Sequence, residues 1–110
     1  AVEGCYFSDH VSLDDPRPEV QAFATAYKKL YGDLPDATAI LTYDATNLFL
    51  QALKKAGTAK GAVLRDTIRD MTFNGVSGTT TFDADRNPIK SAVIIQVKDG
   101  AFRYVTTIQP

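Results

Sequence analysis

The sequence predicts a mixed α/β fold in which strands at both ends of the chain flank a helical middle. In the first two thirds, apolar residues recur at intervals of three and four, which places their side chains on one face of a helix. The last third has short apolar runs separated by glycines and turn-forming residues, a pattern typical of β-strands. We therefore expect one strand, three helices and then a set of strands ending in a hairpin.

The first strand and the first helix are indicated by short-range signals. Residues 2–7 are rich in β-forming side chains and lead into a polar run at residues 8–10, which predicts a strand ending in a loop. The Asp-Asp-Pro sequence at residues 14–16 offers a capping carboxylate and a proline, both favoured at the start of a helix. Gly32 is expected to end this helix, because glycine readily adopts the left-handed conformation of a C-cap.

Two further helices follow. The second is predicted from residue 37 or 38 to residue 56, with Gly57 closing it. Its apolar residues surround much of its circumference, so we expect it to be the most buried element. Asp44 interrupts this apolar surface, and an exposed position is favoured for it over a place in a cleft. The third helix is predicted at about residues 60–71.

The strand pattern begins after the third helix. Strands are predicted at residues 76–82, 92–97 and 102–108. The Asp-Gly pair at residues 99–100 suits a type I′ turn, because both central residues of that turn need positive φ. The last two strands should therefore form a tight hairpin.

The composition disfavours several classes of function. The chain has 110 residues, 45% hydrophobic and 23% charged, as in an ordinary soluble globular protein. A net charge of -1 without a basic run disfavours nucleic acid and anionic membranes as partners. No apolar run approaches the roughly 20 residues that span a bilayer, and no signal segment opens the chain. Because the chain does not begin with methionine, we expect that processing or truncation removed preceding residues.

Catalysis finds little support in the side chains available. Cys5 is the single cysteine; it is expected to be a small core side chain, and it leaves the redox compartment open. One cysteine and one histidine cannot supply the Cys and His ligands of a typical zinc site. Ser77 lies in a Gly-Val-Ser-Gly sequence like a nucleophile elbow, but Thr79 stands where the motif needs glycine. A strand-entry turn for Ser77 and a solvated loop for His10 are favoured, so we predict no enzyme and no cofactor.

The segment Thr-Thr-Phe-Asp-Ala-Asp-Arg-Asn-Pro-Ile-Lys at residues 80–90 raises the question of a metal site. Asp83, Asp85 and Asn87 match the first three ligand positions of a calcium loop. That loop also needs glycine at its sixth position and glutamate at its twelfth, which are here Pro88 and Ile94. We therefore predict a polar turn and no metal.

Four segments taken together carry a more specific signal: VEGCYFSDH, DDPRPEVQAFATAYKKLYG, LPDATAILTYDATNLFLQALKKAG and GVSGTTTFDADRNPIKSAVIIQVKDGAFRYV. In order and spacing they resemble the C-terminal portion of the periplasmic binding proteins for branched-chain amino acids. These proteins are solute receptors of ABC importers and have the two-lobed type I binding-protein fold. The resemblance covers essentially the whole chain and roughly the last third of such a receptor, which as a whole exceeds the size of one domain.

The resemblance implies a division of the chain between two lobes. Residues 1–9 would form a strand of the second lobe and a crossover, residues 10–86 the helical and strand part of the first lobe, and residues 87–110 a crossover and the C-terminal hairpin of the second lobe. Hinge closure around a solute suits crossovers made of polar, turn-forming residues. Four residues are implied as hinge positions: Ser8, Asp9, Asn87 and Pro88.

One ligand-facing position is implied by the resemblance. It lies five residues before Tyr43, where the family often has an aromatic residue and this chain has Thr38. A small hydroxyl residue removes apolar contact and can add a hydrogen bond, which argues against a large aliphatic ligand. Thr38 has a second interpretation of equal weight, in which it serves the backbone of its own helix terminus.

The resemblance implies a solute-binding component of an ABC transporter that binds an amino acid or a similar small polar solute without covalent chemistry. Its partners would be the ABC permease subunits and the missing N-terminal part of the receptor, in the periplasm or, as a lipoprotein, outside a single-membrane bacterium. Alone, the chain should bind solute poorly. The alternative is a self-standing α+β interaction module derived from the receptor segment. Uncovered sheet edges and apolar helix faces also predict dimerisation or swapping of the chain.

Overall fold

The computed structural model describes residues 2–110, in which three helices lie between strands of two small sheets. The predicted order of strand, three helices and strands is confirmed. The molecule is elongated, measuring 50 × 34 × 22 Å. The elements are β1 (Tyr6–Asp9), α1 (Pro18–Tyr31), α2 (Ala37–Ala56), α3 (Gly61–Arg69), β2 (Phe73–Gly75), β3 (Gly78–Phe82), β4 (Pro88–Lys90), β5 (Ala92–Lys98) and β6 (Ala101–Ile108).

Strands from the two ends of the chain share one antiparallel sheet. This terminal sheet has the order β1-β5-β6, and the middle sheet has the order β2-β3-β4. The terminal sheet is therefore joined to the rest of the described chain by two connections, one after Asp9 and one at Ser91, the single residue between β4 and β5. We call α1, α2, α3 and the middle sheet the helical body.

The first strand and Cys5 differ from the prediction. Gly4 has a φ of 82°, and Cys5 donates its backbone N–H to the Val2 carbonyl at 3.1 Å, so a turn occupies the predicted start of the strand. Strand β1 begins at Tyr6 and extends to Asp9. The prediction of Cys5 as a core side chain is wrong, because the residue lies before the strand, at the margin of the sheet, and is exposed.

Helix α1 begins later than the predicted capping sequence. Its N-cap is Arg17, and Pro18 occupies the first turn. The carboxylate of Asp15 does not cap the helix, because it accepts the Arg17 backbone N–H at 3.0 Å and the Arg17 Nε–H at 2.9 Å. The predicted end is confirmed: Gly32 has a φ of 79° and donates its N–H to the Lys28 carbonyl.

Helix α2 has the predicted bounds but not the predicted burial. The Asp36 carboxylate caps it by accepting the Ala39 N–H at 2.7 Å, and Gly57 closes it in the left-handed conformation. However, Phe49 is 46% and Leu50 is 54% exposed. The prediction that α2 is the most buried element is wrong, because within this chain only part of its circumference packs against other elements.

The middle sheet corrects the predicted strand at residues 76–82. That segment contains the turn and the second strand of a hairpin, in which Gly75 pairs with Gly78. Strand β4 was not predicted; it pairs with β3 as an edge strand. The C-terminal hairpin is confirmed, since Asp99 and Gly100 have φ values of 54° and 70°, as a type I′ turn requires. Helix α3 is shorter than predicted at both ends.

Two apolar clusters form the interior of the helical body. The first joins the segment before α1 to α1, α2 and the β2–β3 turn, and consists of Val11, Val20, Ile40 and Val76 with Leu13, Phe23 and Ala37 around them. The second joins α2 to α3 and consists of Ala52, Leu64 and Met71 with Leu53, Ala56 and Ile68. In the terminal sheet, alternate residues of β5 are buried, as the period of a half-buried strand requires.

Among the described residues, none of the helices combines the length and the apolar character that a membrane span requires.

Candidate functional site

Helices α1 and α2 enclose an open, largely apolar groove with a volume of about 870 Å³. A row of aromatic rings lines it. Tyr31 and Tyr27 have ring centroids 4.6 Å apart, and Phe23 links α1 to Tyr43 of α2 with a centroid separation of 4.8 Å. Aromatic pairs at these distances stabilise the contact beyond the area they bury.

Thr38 lies on the rim of this groove, in the first turn of α2. Its side chain is exposed. The capping hydrogen bond at this helix end comes from Asp36, and among the hydrogen bonds of residues 2–110 none involves the Thr38 hydroxyl. The hydroxyl is therefore available to a molecule outside the chain.

A second, polar feature lies where the β2–β3 turn meets α2. We call residues 76–78 the junction turn. Asp44 is only 7% exposed and accepts the backbone N–H groups of Val76 and Ser77, each at 2.8 Å. The Ser77 hydroxyl donates to Asp44 Oδ2 at 2.6 Å. The prediction of an exposed Asp44 is wrong, because this carboxylate satisfies two buried backbone donors of the turn.

Two basic side chains bind the same turn from other parts of the chain. Lys90, the last residue of β4, donates its Nζ–H to Ser77 Oγ at 2.8 Å. Arg17, at the start of α1, donates from Nη2 to the Val76 carbonyl at 3.3 Å. Its guanidinium also forms an ion pair of 2.9 Å with Asp15, whose side chain is 1% exposed. The turn therefore joins α2, β4 and the segment before α1.

Two glycines permit this close approach. A Cβ atom on Gly75 would lie 2.5 Å from Asp44 Oδ2 and 2.6 Å from a ring carbon of Phe73. Gly78 has a φ of 108°, and its added Cβ would lie 3.1 Å from Ser91 Oγ. Both positions exclude a side chain, for a steric reason at Gly75 and for a conformational reason at Gly78.

The Lys90 ammonium at the junction turn is partly buried. Burial lowers the pKa of Lys90 from its ordinary value; the nearby Asp44 carboxylate raises it in part, and the Arg17 guanidinium lowers it further. The polar side-chain atoms that are buried in the described residues all have hydrogen-bond partners. This satisfied network is suited to holding elements together, because buried polar groups that are fully hydrogen-bonded rigidify the parts they join.

Two predicted turns are confirmed, the strand-entry turn at Ser77, directly before β3, and the polar turn at residues 83–87. Ser77 is 3% exposed, and its hydroxyl contacts Asp44 and Lys90, whereas His10 is an exposed bend residue, as expected. The β3–β4 loop is the predicted polar turn: Asp83 Oδ1 accepts the backbone N–H groups of Asp85 and Asn87 at 2.9 and 2.8 Å.

The backbone and side chain of Asn87 donate to Asp83 and lower the pKa of its carboxyl. Residues 2–110 contain no group of three or more His, Cys, Asp or Glu side chains suited to a metal ion.

Sequence comparison identifies the family. The profile of the periplasmic binding protein family matches residues 1–101 of the chain. The chain belongs to the periplasmic binding protein family. The comparison with curated proteins gave no match.

Solved structures of periplasmic binding proteins share the fold. A leucine-binding protein from Thermotoga maritima is 34% identical over 99% of this chain, with a TM-score of 0.84. An ABC transporter substrate-binding protein from Desulfitobacterium hafniense, in complex with leucine, is 31% identical over 94% of this chain, with a TM-score of 0.86. A benzoate-bound solute-binding protein from R. palustris covers 99% of this chain and 31% of its own, with 22% identity and a TM-score of 0.82, and shows the fold alone.

The chain spans only about a third of these periplasmic binding proteins. It covers 32% of the Thermotoga leucine-binding protein and 32% of the Desulfitobacterium protein. These two relatives are described as solute-binding proteins, and neither is described as an enzyme. The mixed α/β fold predicted from the sequence is therefore the fold of this family.

The predicted hinge positions of this periplasmic binding protein segment lie at the two connections or beside them. Ser8 and Asp9 are the last two residues of β1, paired with β5. Asn87 lies in the β3–β4 loop, and Pro88 begins β4, paired with Phe82. The chain passes from one sheet to the other three residues later, at Ser91. The hinge role of these residues and the lobe boundaries stay predictions; residue 1 of the 1–9 segment lies outside the described residues.

Reasoning from the sequence favoured a turn at Ser77 but missed the contacts that Asp44, Arg17 and Lys90 make with it. One signal could have indicated these contacts. Asp44 is a carboxylate in an otherwise apolar helix, and such a group needs hydrogen-bond donors when it is buried. Nothing local indicated Lys90 or Arg17, because their partners lie 13 and 59 residues away along the chain.

Proposed function

We propose that this chain is part of the solute receptor of an ABC importer, which captures a small amino acid or a similar polar solute and presents it to the permease. The observation that carries this proposal is the 34% identity to a leucine-binding protein across 99% of the chain. Binding and closure are the whole of the proposed mechanism, and no covalent step is involved.

Thr38 is the proposed ligand-facing residue. It is exposed at the start of α2, and its hydroxyl is free of the helix cap. A hydroxyl at this position can hydrogen-bond a polar solute, but it offers less apolar contact than an aromatic ring. We therefore propose a smaller or more polar solute than leucine or isoleucine.

Closure would occur between the terminal sheet and the helical body. The two are joined by connections after Asp9 and at Ser91, and a pair of short connections is the arrangement that hinge motion needs. In this proposal residues 10–86 belong to the first lobe, residues 1–9 are a strand of the second lobe and a crossover, and residues 87–110 are a crossover and the C-terminal hairpin of the second lobe. Four residues at or beside the connections would take part in the hinge: Ser8, Asp9, Asn87 and Pro88.

The proposed partners follow from the share of the relatives that the chain spans. Because it covers 32% of the leucine-binding protein, the remaining part of a receptor would supply most solute contacts, and the permease would bind the closed form. Membership of this family points to the periplasm, or to the outer surface of a single-membrane bacterium with a lipid anchor.

A second candidate function is a self-standing α+β interaction module that dimerises. The exposed apolar side chains favour it: Leu30 is 76%, Phe102 is 67% and Leu50 is 54% exposed. Apolar surface of this kind marks an interface, which either the rest of a receptor or a second copy would cover. Both alternatives predict a dimer of the isolated chain, so the coding sequence upstream of residue 1 is the test: the first two thirds of a receptor there would support the receptor, and a start codon immediately upstream would support the module.

The receptor proposal is tested with a chimera. The 110 residues replace the matching third of the Thermotoga leucine-binding protein, and isothermal titration measures binding of leucine, isoleucine, alanine, serine and threonine. We expect saturable binding of at least one amino acid, with the small or hydroxyl-bearing solutes favoured relative to the unaltered leucine-binding protein. A folded chimera that binds none of the five would contradict the proposal.

A further inference from the structure

Both segments that lead to the terminal sheet are bound by the junction turn. On one side, Arg17 donates to the Val76 carbonyl at 3.3 Å and is itself held by the buried carboxylate of Asp15. On the other side, Lys90 donates to Ser77 Oγ at 2.8 Å. The two segments are far apart in the sequence, yet they reach neighbouring residues of one turn.

Asp44 anchors this turn in the helical body. It lies inside α2, away from both helix ends, and its carboxylate accepts the backbone N–H groups of Val76 and Ser77. A carboxylate that accepts several hydrogen bonds while buried has a fixed position, because any movement leaves donors unsatisfied. The turn is therefore a rigid extension of α2.

The side-chain contact between the terminal sheet and the segment before α1 is weaker than those of the junction turn. Lys90 is the last residue before Ser91, and the terminal sheet begins at Ala92. An ion pair between Arg103 of β6 and Asp14 spans 3.4 Å, with both side chains about half exposed, at 55% and 43%. Exposed pairs of this kind contribute little, so this pair does not hold the two bodies at a fixed angle.

Glycine at residue 78 brings the turn against the connection itself. An added Cβ there would meet Ser91 Oγ at 3.1 Å and Arg17 Nη1 at 3.7 Å. The junction turn thus lies beside Ser91 and also binds Lys90, the residue before it. Lys90 is held to the helical body, and Ser91, which follows it, lies in neither strand. Rotation of the terminal sheet should therefore begin at Ser91.

We propose that the junction turn is a clamp that confines rotation of the terminal sheet to Ser91 on the C-terminal side, with Lys90, Ser77 and Asp44 as its positioning residues. This inference rests on the proposed hinge closure, and it moves the pivot on the C-terminal side from Asn87 and Pro88 to Ser91.

The test measures the distance distribution between the terminal sheet and the helical body. Cys5 is the single cysteine and is exposed beside the terminal sheet, and Lys54→Cys adds a label site on the exposed side of α2. Double electron–electron resonance on the spin-labelled chain gives the distribution. Samples labelled only at Cys5 report any distance between two copies of the chain.

Lys90→Met removes the donor and retains most of the side-chain stem. We expect a broader distance distribution than in the parent, and amide exchange of residues 89–92 that is roughly tenfold faster, as expected for loss of a hydrogen bond from a charged group. Lys90→Arg, which keeps a donor, should recover much of the narrow distribution. Lys28→Met, an exposed lysine of α1, is the matched control and should change neither measurement.

Ser77→Ala is the second variant, because it removes the link to Lys90 but keeps both backbone donors to Asp44. It should broaden the distribution as Lys90→Met does. An unchanged distribution in both variants would overturn the clamp, and so would amide exchange that accelerates in α3 as much as around Ser91, since that result describes a general loss of stability. No solute is present, so either outcome is independent of whether the chain serves in a receptor.

Discussion

Asp44 Oδ2 lies 2.6 Å from Ser77 Oγ, a buried contact between residues 33 positions apart in the sequence. Together with the two backbone hydrogen bonds to the same carboxylate, it joins the middle of α2 to the hairpin of the middle sheet. The helical body is therefore organised by a polar contact as well as by its apolar clusters. The first predictions follow from this contact.

Asp44→Ala should destabilise the chain by about 3 kcal/mol, because the buried N–H groups of Val76 and Ser77 lose their charged acceptor. The free energy of unfolding from urea titration measures the effect. Asp85→Ala is the matched control, since Asp85 is an exposed loop residue, and it should change stability by less than about 0.5 kcal/mol. Equal effects of the two substitutions would show that the Asp44 contacts contribute nothing specific.

Gly75→Ala should destabilise the chain by about 2 kcal/mol, as overpacking of a close contact does. The new Cβ would lie 2.5 Å from Asp44 Oδ2, so the carboxylate must leave its donors. Gly61→Ala provides the control, because a Cβ at the first residue of α3 meets nothing within 4 Å. Thermal unfolding should show a lower Tm for the first variant and an unchanged or slightly higher Tm for the second; the reverse order would contradict the described packing.

Features that depend on local chemistry were predictable from the sequence, whereas those that depend on distant partners were not. Gly32, Gly57 and the Asp-Gly pair at residues 99–100 act through backbone conformations that neighbouring residues specify. The position of Asp44 depends on donors 32 and 33 residues away. An apolar pattern also does not say what covers a face, which is why the burial of α2 and of Cys5 was predicted wrongly.

The candidate site shows the same division. The resemblance implied Thr38, which is exposed at the start of α2. Its place in the fold could be predicted from the bounds of α2 alone. Predicting the junction turn would have required knowledge of three long-range contacts, made by Arg17, Asp44 and Lys90. No short motif encodes such a meeting point.

Asp83 predicts a dependence of stability on acid. Hydrogen bonds from the backbone and side chain of Asn87 lower the pKa of its carboxyl below 3.8. A lowered pKa in the folded state contributes stability that is fully present above 3.8 and is lost as the pH falls through the folded value. The Tm difference between the parent and Asp83→Ala should therefore be constant near neutral pH and shrink in strong acid. A difference that stays constant below the folded pKa would contradict the described loop.

Thr38→Phe in the chimera should raise the affinity for leucine and isoleucine by roughly tenfold, because an aromatic ring adds buried apolar contact. The affinity for serine and threonine should fall or stay unchanged. Thr25→Phe, an exposed residue of α1 outside the groove, is the control and should leave every affinity unchanged. Titration of both variants with the same four amino acids separates a ligand-facing Thr38 from a residue that only belongs to its helix.

Solute-induced closure of the chimera tests the central claim most directly, because it requires capture of the solute and rotation about the two connections. Small-angle X-ray scattering of the chimera, with and without the amino acid that binds best, measures the radius of gyration of both forms. We predict a smaller radius of gyration and a narrower pair-distance distribution in the bound form. Saturating solute that leaves both quantities unchanged would contradict the account of this chain as part of a receptor that closes around its ligand.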